Sequence, residues 1–180
     1  VSNAVSTDVV TKESYITVND YLSTASNPVW YVLRTIATST RENKVIAATP
    51  NIAAKQIRGI NLTTTLPDSV LWRIEKDPAS GKLAIINKAN GASLSNTLVG
   101  TNVVFGANNT TEYNWYMNVV KGNPWVYKFV NGITVHMTNN TPFPFINYDN
   151  GDLASQYRLI PSTQYFQYAS VITLQNAILN

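Results

Sequence analysis

The chain has 180 residues, with 13 Lys and Arg against 10 Asp and Glu for a formal net charge of +3, one His and no Cys. That length suits one domain with a core of its own, while the missing cysteines exclude a disulfide framework, a thiol nucleophile and thiolate metal sites. The lone histidine excludes His-rich zinc and iron centres, the 13% charged residues exclude a nucleic-acid footprint, and no run of 18 apolar residues spans a membrane.

Asn and Thr each make up about a tenth of the chain, so amides and hydroxyls carry the polarity that charge supplies elsewhere. This balance reads as a secreted or cell-surface protein. The 10 Tyr, 5 Phe and 4 Trp favour strands. Nothing calls for a cofactor or a metal.

In chain order, residues 1–27 read as an N-terminal extension, with a strand-like alternation at Ser14-Tyr15-Ile16-Thr17-Val18. Then comes Trp30-Tyr31-Val32-Leu33-Arg34, a polar turn at Arg41-Glu42-Asn43-Lys44, Val45-Ile46, a run from Ile57 to Leu62, and Ser69-Val70-Leu71-Trp72-Arg73-Ile74. The series repeats as Lys82 to Ile86, the turn Asn90-Gly91, Leu94, Val103-Val104-Phe105 and Glu112 to Met117 around Trp115. It repeats again as Val126 to Val130, the turn Asn131-Gly132, Ile133 to Val135, Phe143 to Ile146 and Ser155 to Ile160 around Tyr157. Asn-Gly between apolar runs is the strongest short hairpin signal.

Trp72, Trp115 and Tyr157 stand 43 and 42 residues apart. Each block thus holds four short strands in about 42 residues. One such block cannot bury its own apolar face, but three around a pseudo-threefold axis close a six-stranded barrel capped by three hairpins and leave no open edge. The expected fold is all-β, a β-trefoil over residues 28–163 with short extensions at 1–27 and 164–180. A four-bladed propeller also uses four-stranded units of this length, but three repeats do not close one. The first block carries an insertion between Pro50 and Arg58. The uncharged segment Tyr165 to Leu174 needs a partner, such as the N-terminal strand or a second copy of the chain.

Three such blocks, each ending in an aromatic with apolar alternation, resemble the ricin B-type lectin trefoils over residues 28 to 162. In that family a block ends in Gln-x-Trp, and the Trp packs into the core. Here Trp72, Trp115 and Tyr157 hold that place, while the Gln position is Val70, Tyr113 and Ser155, with Gln156 displaced by one. Family members hold galactose-like sugars with an Asp just after the apolar residue that follows the turn. Those positions fall at Ile46, Ser95 and His136. The resemblance implies the trefoil and a carbohydrate partner, with the standard pocket changed in every block.

The richest polar loop is Asn147-Tyr148-Asp149-Asn150-Gly151-Asp152. A ring beside carboxylates and amides suits a sugar, whose C–H face stacks on the ring while its hydroxyls meet planar acceptors and donors. The same residues are also turn formers. The expected ligand-binding residues are His136, Asn147, Tyr148, Asp149, Asn150 and Asp152. Weaker alternatives are Asn108 to Tyr113 in the second block and Trp125 at a strand start. No catalytic residues are expected: there is no nucleophile elbow, and the near carboxylate pairs Glu75/Asp77 and Asp149/Asp152 sit in turn-like contexts. The expected function is a non-catalytic, lectin-like carbohydrate-binding module within a larger glycan-processing protein. The alternative is a protein-binding trefoil, such as a protease inhibitor, acting through an exposed loop, with Asn51 to Gln56 as the candidate.

Overall fold

The structure is a computed structural model and describes residues 22–49, 56–62, 64–107, 109–120, 123–149 and 151–166. Twelve strands run through these residues. In the first block they are β1 (Tyr31–Thr35), β2 (Val45–Ala48), β3 (Ile57–Ile60) and β4 (Trp72–Lys76). The second block has β5 (Leu83–Asn87), β6 (Leu94–Val99), β7 (Asn102–Phe105) and β8 (Tyr116–Val120). The third has β9 (Asn123–Val130), β10 (Val135–Met137), β11 (Phe145–Asn147) and β12 (Tyr157–Pro161). Four strands per block is the arrangement the sequence predicts.

The pairings assemble a ring from the first and fourth strands of each block. β1 pairs with β4, β4 with β5, β8 with β9, β9 with β12, and β12 back with β1. The remaining step is an isolated bridge of Leu83 with Trp115, held by Leu83 N to the Trp115 carbonyl at 2.7 Å and Trp115 N to the Leu83 carbonyl at 3.0 Å. The ladder is therefore not continuous round the ring, as full closure without an edge would require. The second and third strands form three hairpins, β2–β3, β6–β7 and β10–β11. These meet one another through Gln56 with Val104, Ile146 with Asn102, and Arg58 with Pro144. A six-stranded ring under a triangular cap of three hairpins is a β-trefoil.

Trp72, Trp115 and Tyr157 are each fully buried in one core. Each buries on the order of 150–250 Å², about 4–6 kcal/mol of gross transfer free energy before entropy is charged. Their polar atoms do equivalent jobs. Trp72 Nε1 donates to the Ile46 carbonyl, Trp115 Nε1 to the Leu94 carbonyl, and the Tyr157 hydroxyl reaches the Val135 carbonyl, all at 2.9 Å. Each aromatic thereby ties the end of its block to the start of its own hairpin. Phe105 stacks on Trp72 at 5.7 Å between centroids, and Phe129 on Tyr157 at 6.1 Å.

Gly91 and Gly132 both take positive φ, +61° and +71°, so the two Asn-Gly turns use glycine where a left-handed residue is required. Short 3-10 turns at Asp68–Val70 and Leu153–Ser155 precede β4 and β12. The end of the N-terminal extension docks on the first block, where Leu22 bridges Ile74 in parallel. Tyr165 folds back and is buried in a second, smaller cluster with Val32, Val45, Ala47, Val70, Leu71 and Ile160. The strand expected at Ser14 to Val18, the insertion at 50–55 and the tail past 166 lie outside the described residues.

Candidate functional site

The aromatic-to-carbonyl hydrogen bonds fix the equivalence of the three hairpins. Ile46, Leu94 and Val135 supply the accepting carbonyls, so the residue after each is the matching position: Ala47, Ser95 and His136. The expectation of Ile46 in the first block is off by one, because the first turn is longer than the two Asn-Gly turns. Two residues before each aromatic stand Val70, Tyr113 and Ser155. In the first block Ala47 and Val70 pack in an apolar cluster. In the third block the pair is polar: His136 Nδ1 lies 2.9 Å from Ser155 Oγ.

The third-block loop is built outward from that pair. The Ser155 hydroxyl donates its one proton to the Asp149 carbonyl at 2.7 Å, so its lone pair accepts from His136, which carries its proton on Nδ1. His136 is only 5% exposed, and this burial holds its pKa below 6.5; Asp152 and Asp149 pull against it, Arg41 with it. The ring supports Tyr148, with centroids 4.7 Å apart at a 48° tilt. Tyr148 itself is 57% exposed.

Asn147, Asp149 and Asp152 each spend one oxygen on holding the backbone. Asp149 Oδ1 accepts from Gly151 N at 2.8 Å, Asp152 Oδ1 from Ala154 N at 2.7 Å, and Asn147 Oδ1 from Thr134 N at 2.9 Å. Gln156 Nε2 closes the loop on the Gly151 carbonyl at 3.1 Å. Among the described residues this leaves Asp149 Oδ2, Asp152 Oδ2 and Asn147 Nδ2 with no hydrogen bond. The turn reading and the ligand reading therefore use different atoms of the same side chains. Asn150 lies outside the described residues.

Two supports come from the first block and were not visible in the sequence. Arg41 Nη1 donates to the Met137 carbonyl at 3.3 Å and stands 3.9 Å from Asp152 Oδ1. Thr40 Oγ1 donates to the Asn139 carbonyl at 3.3 Å. These partners lie far apart in the chain, and no local pattern announces them.

The other candidates separate. In the second block Glu112 Oε2 accepts from Asn114 Nδ2 at 2.9 Å, and Tyr113 is partly buried, its pKa raised by desolvation and by Glu75 and Asp77; Asn108 lies outside the described residues. Trp125 lies within β9 rather than at its start. Glu75 is engaged by Arg73 at 2.8 Å. Asp77 caps a turn, where the Ser80 hydroxyl and the backbone of Ala79 and Ser80 hold its pKa below the usual value. Two hollows lie away from the third-block loop. One of about 200 Å³ is lined by Arg34, Glu42, Asn43 and Arg158 among others. The other, of about 220 Å³, sits beside Ala47 and Arg58.

No family model and no curated protein matches the sequence. Solved structures do match. A GlcNAcα1-4Gal-releasing endo-β-galactosidase from Clostridium perfringens aligns at TM-score 0.59 and 20% identity, over 74% of this chain and 32% of that one. A ricin B-like lectin from Macrolepiota procera, solved with lactose, aligns at 0.58 and 11% identity over 77% of this chain and 99% of that one. A designed threefold-symmetric protein aligns at 0.52 and 19% identity, over 73% and 97%. The chain thus spans about a third of the endo-β-galactosidase. At these identities the likeness is one of fold: the chain is a β-trefoil of the kind found in ricin B-like lectins.

Proposed function

We propose that the chain is a non-catalytic carbohydrate-binding module, secreted or displayed at a cell surface and carried within a larger glycan-processing protein. The observation that carries the reading is Tyr148, an exposed ring braced from below by the buried His136 and flanked by two carboxylates that each keep one oxygen unbonded. Such a ring offers a flat apolar face to the C–H side of a pyranose, and Asp149 Oδ2, Asp152 Oδ2 and Asn147 Nδ2 offer acceptors and a donor to its hydroxyls. Bracing lowers the ordering cost of binding. His136 acts here as a positioning residue, since it is buried and its Nδ1 is committed to Ser155. The endo-β-galactosidase, of which the chain matches only a third, supports a trefoil appended to a larger glycan-processing chain. Single shallow sites bind weakly, so useful affinity comes from several copies or modules.

The test is a glycan array probed with the wild-type domain and with a Tyr148→Ala, Asp149→Ala variant. Binding by the wild type that the variant loses is the expected result. Binding that survives removes the third-block loop from the proposal, and a blank array removes carbohydrate binding altogether.

A further inference from the structure

Beyond its buried aromatic, the last strand of each block has a side that faces the first strand of the same block, and the three blocks fill that side differently. In the first block β1 meets β4 only at Trp72, and the N-terminal side of the chain takes over. Leu22 bridges Ile74, and Ser23 N donates to the Ile74 carbonyl at 2.7 Å. In the third block the first strand itself runs on, with Val126 of β9 opposite Arg158 of β12. In the second block the seam of β5 and β8 ends at Leu83 and Trp115. Ahead of Leu83 the chain closes into the β4–β5 turn, where Asp77 N donates to the Lys82 carbonyl and Gly81 N to the Asp77 carbonyl, both at 2.9 Å.

The N–H and C=O of Trp115 both point across this seam to Leu83. Hydrogen-bonding direction alternates residue by residue along a strand, so the N–H and C=O of Met117 and Val119 point the same way. Tyr116 and Asn118 face Val130 and Lys128 on β9. Among the described residues no backbone bond reaches Met117 or Val119 from the open side. The strand Tyr116–Val120 carries neither a charge nor a proline, two of the devices that blunt natural edges. Tyr116 is 44% exposed and Val119 52%.

We propose that this edge takes the same strand of a second copy of the chain, antiparallel about a twofold axis at Asn118. In that register Met117 of one copy lies opposite Val119 of the other, twice over. Each such pair exchanges two N–H···O bonds and sets two apolar side chains side by side. The edge is self-complementary because its outward polar groups lie symmetrically about Asn118 and no charge meets its own kind. The chain beyond Tyr165 starts from β1 and β2, across the ring from β8, so a second copy reaches this edge more directly. A strand pair of this length buries less than the roughly 1,200–2,000 Å² of a stable interface, so the dimer is weak. The pairing does not depend on the carbohydrate reading; under that reading it presents two Tyr148 loops at once.

The test is sedimentation of the full 180-residue chain over a range of concentrations, with amide exchange at Met117 and Val119 followed by NMR on the same samples. The expected result is a monomer–dimer equilibrium in which those two amides gain protection as concentration rises, while Tyr116 and Asn118 stay as they are. Val119→Pro removes only an N–H that points away from β9. It deletes two of the four intermolecular bonds and should weaken dimerisation by about tenfold or more. Val119→Lys, which sets a charge in the seam, takes its place should the proline variant not fold. A chain that stays monomeric up to its solubility limit overturns the proposal. So does a dimer that leaves the two amides unprotected, or one that these variants do not weaken. Protection that is the same at every concentration assigns the edge to a segment of the same chain and overturns it as well.

Discussion

Replacing Tyr157 by Phe removes a single oxygen from the centre of the molecule. The ring is fully buried, and its hydroxyl lies 2.9 Å from the Val135 carbonyl and 2.7 Å from the Ala154 carbonyl. Phe keeps the ring contacts with Phe129 and Phe145, so almost no void opens. What is lost is one shared hydrogen bond, worth about 0.5–1.5 kcal/mol, and a buried acceptor is left unpaired at about 1–3 kcal/mol. We expect a net loss of about 2 kcal/mol, read in urea unfolding as a lower midpoint at constant m and in Tm as a fall of about 4–8 °C for a domain of this size. Trp72→Phe loses its bond to the Ile46 carbonyl and also the second ring. A void of roughly 40 Å³ adds about 1 kcal/mol, so Trp72→Phe falls further than Tyr157→Phe. A loss below about 0.5 kcal/mol in Tyr157→Phe would refute the view that these polar atoms tie each block end to its hairpin.

His136 is the one histidine in the chain, so its ring resonance in a proton NMR titration is unambiguous. Burial lowers its folded pKa, so the midpoint should fall below the ordinary value near 6.5. The unfolded chain then takes up the proton first, and stability declines as pH drops from about 6.5 through the folded midpoint; His136→Gln should flatten that part of the curve. A midpoint at or above 6.5 contradicts the desolvated environment. Gly59→Ala tests the crowding where the hairpins meet. A Cβ there would lie 2.6 Å from Met137 Sδ and 3.2 Å from Phe143 Cβ, and overpacking of this kind costs about 1–3 kcal/mol. Unchanged thermal stability in that variant would show that the cap has slack.

The repeat was legible because burying an aromatic beside alternating apolar residues leaves a mark at a fixed distance along the chain. Trp72, Trp115 and Tyr157 carry it even though their donors differ. In the first hairpin the matching residue is Ala47 and not Ile46, because register there is set by the carbonyl that Trp72 reaches and not by the length of the turn. Tyr148, Asp149 and Asp152 could be named from composition. What those side chains do with each oxygen could not, since Asx-type caps and ligand acceptors use the same residue types. In the sequence Arg58 marks only the boundary of an insertion. That its guanidinium Nε is shielded from solvent follows from pairing across a hairpin whose register the sequence does not state.

The anchoring of the third-block loop by Thr40 and Arg41 bears on how far the three repeats are interchangeable. A block copied, excised or transplanted on its own would bring the loop without its scaffold, because two of the clamps belong to the neighbour across the seam where β1 meets β12. Variation at position 41 is therefore free to retune a surface that lies far along the chain. The loop is a property of neighbouring repeats together, and a recombinant that separates the third block from the first would keep the trefoil and lose the shape of that rim.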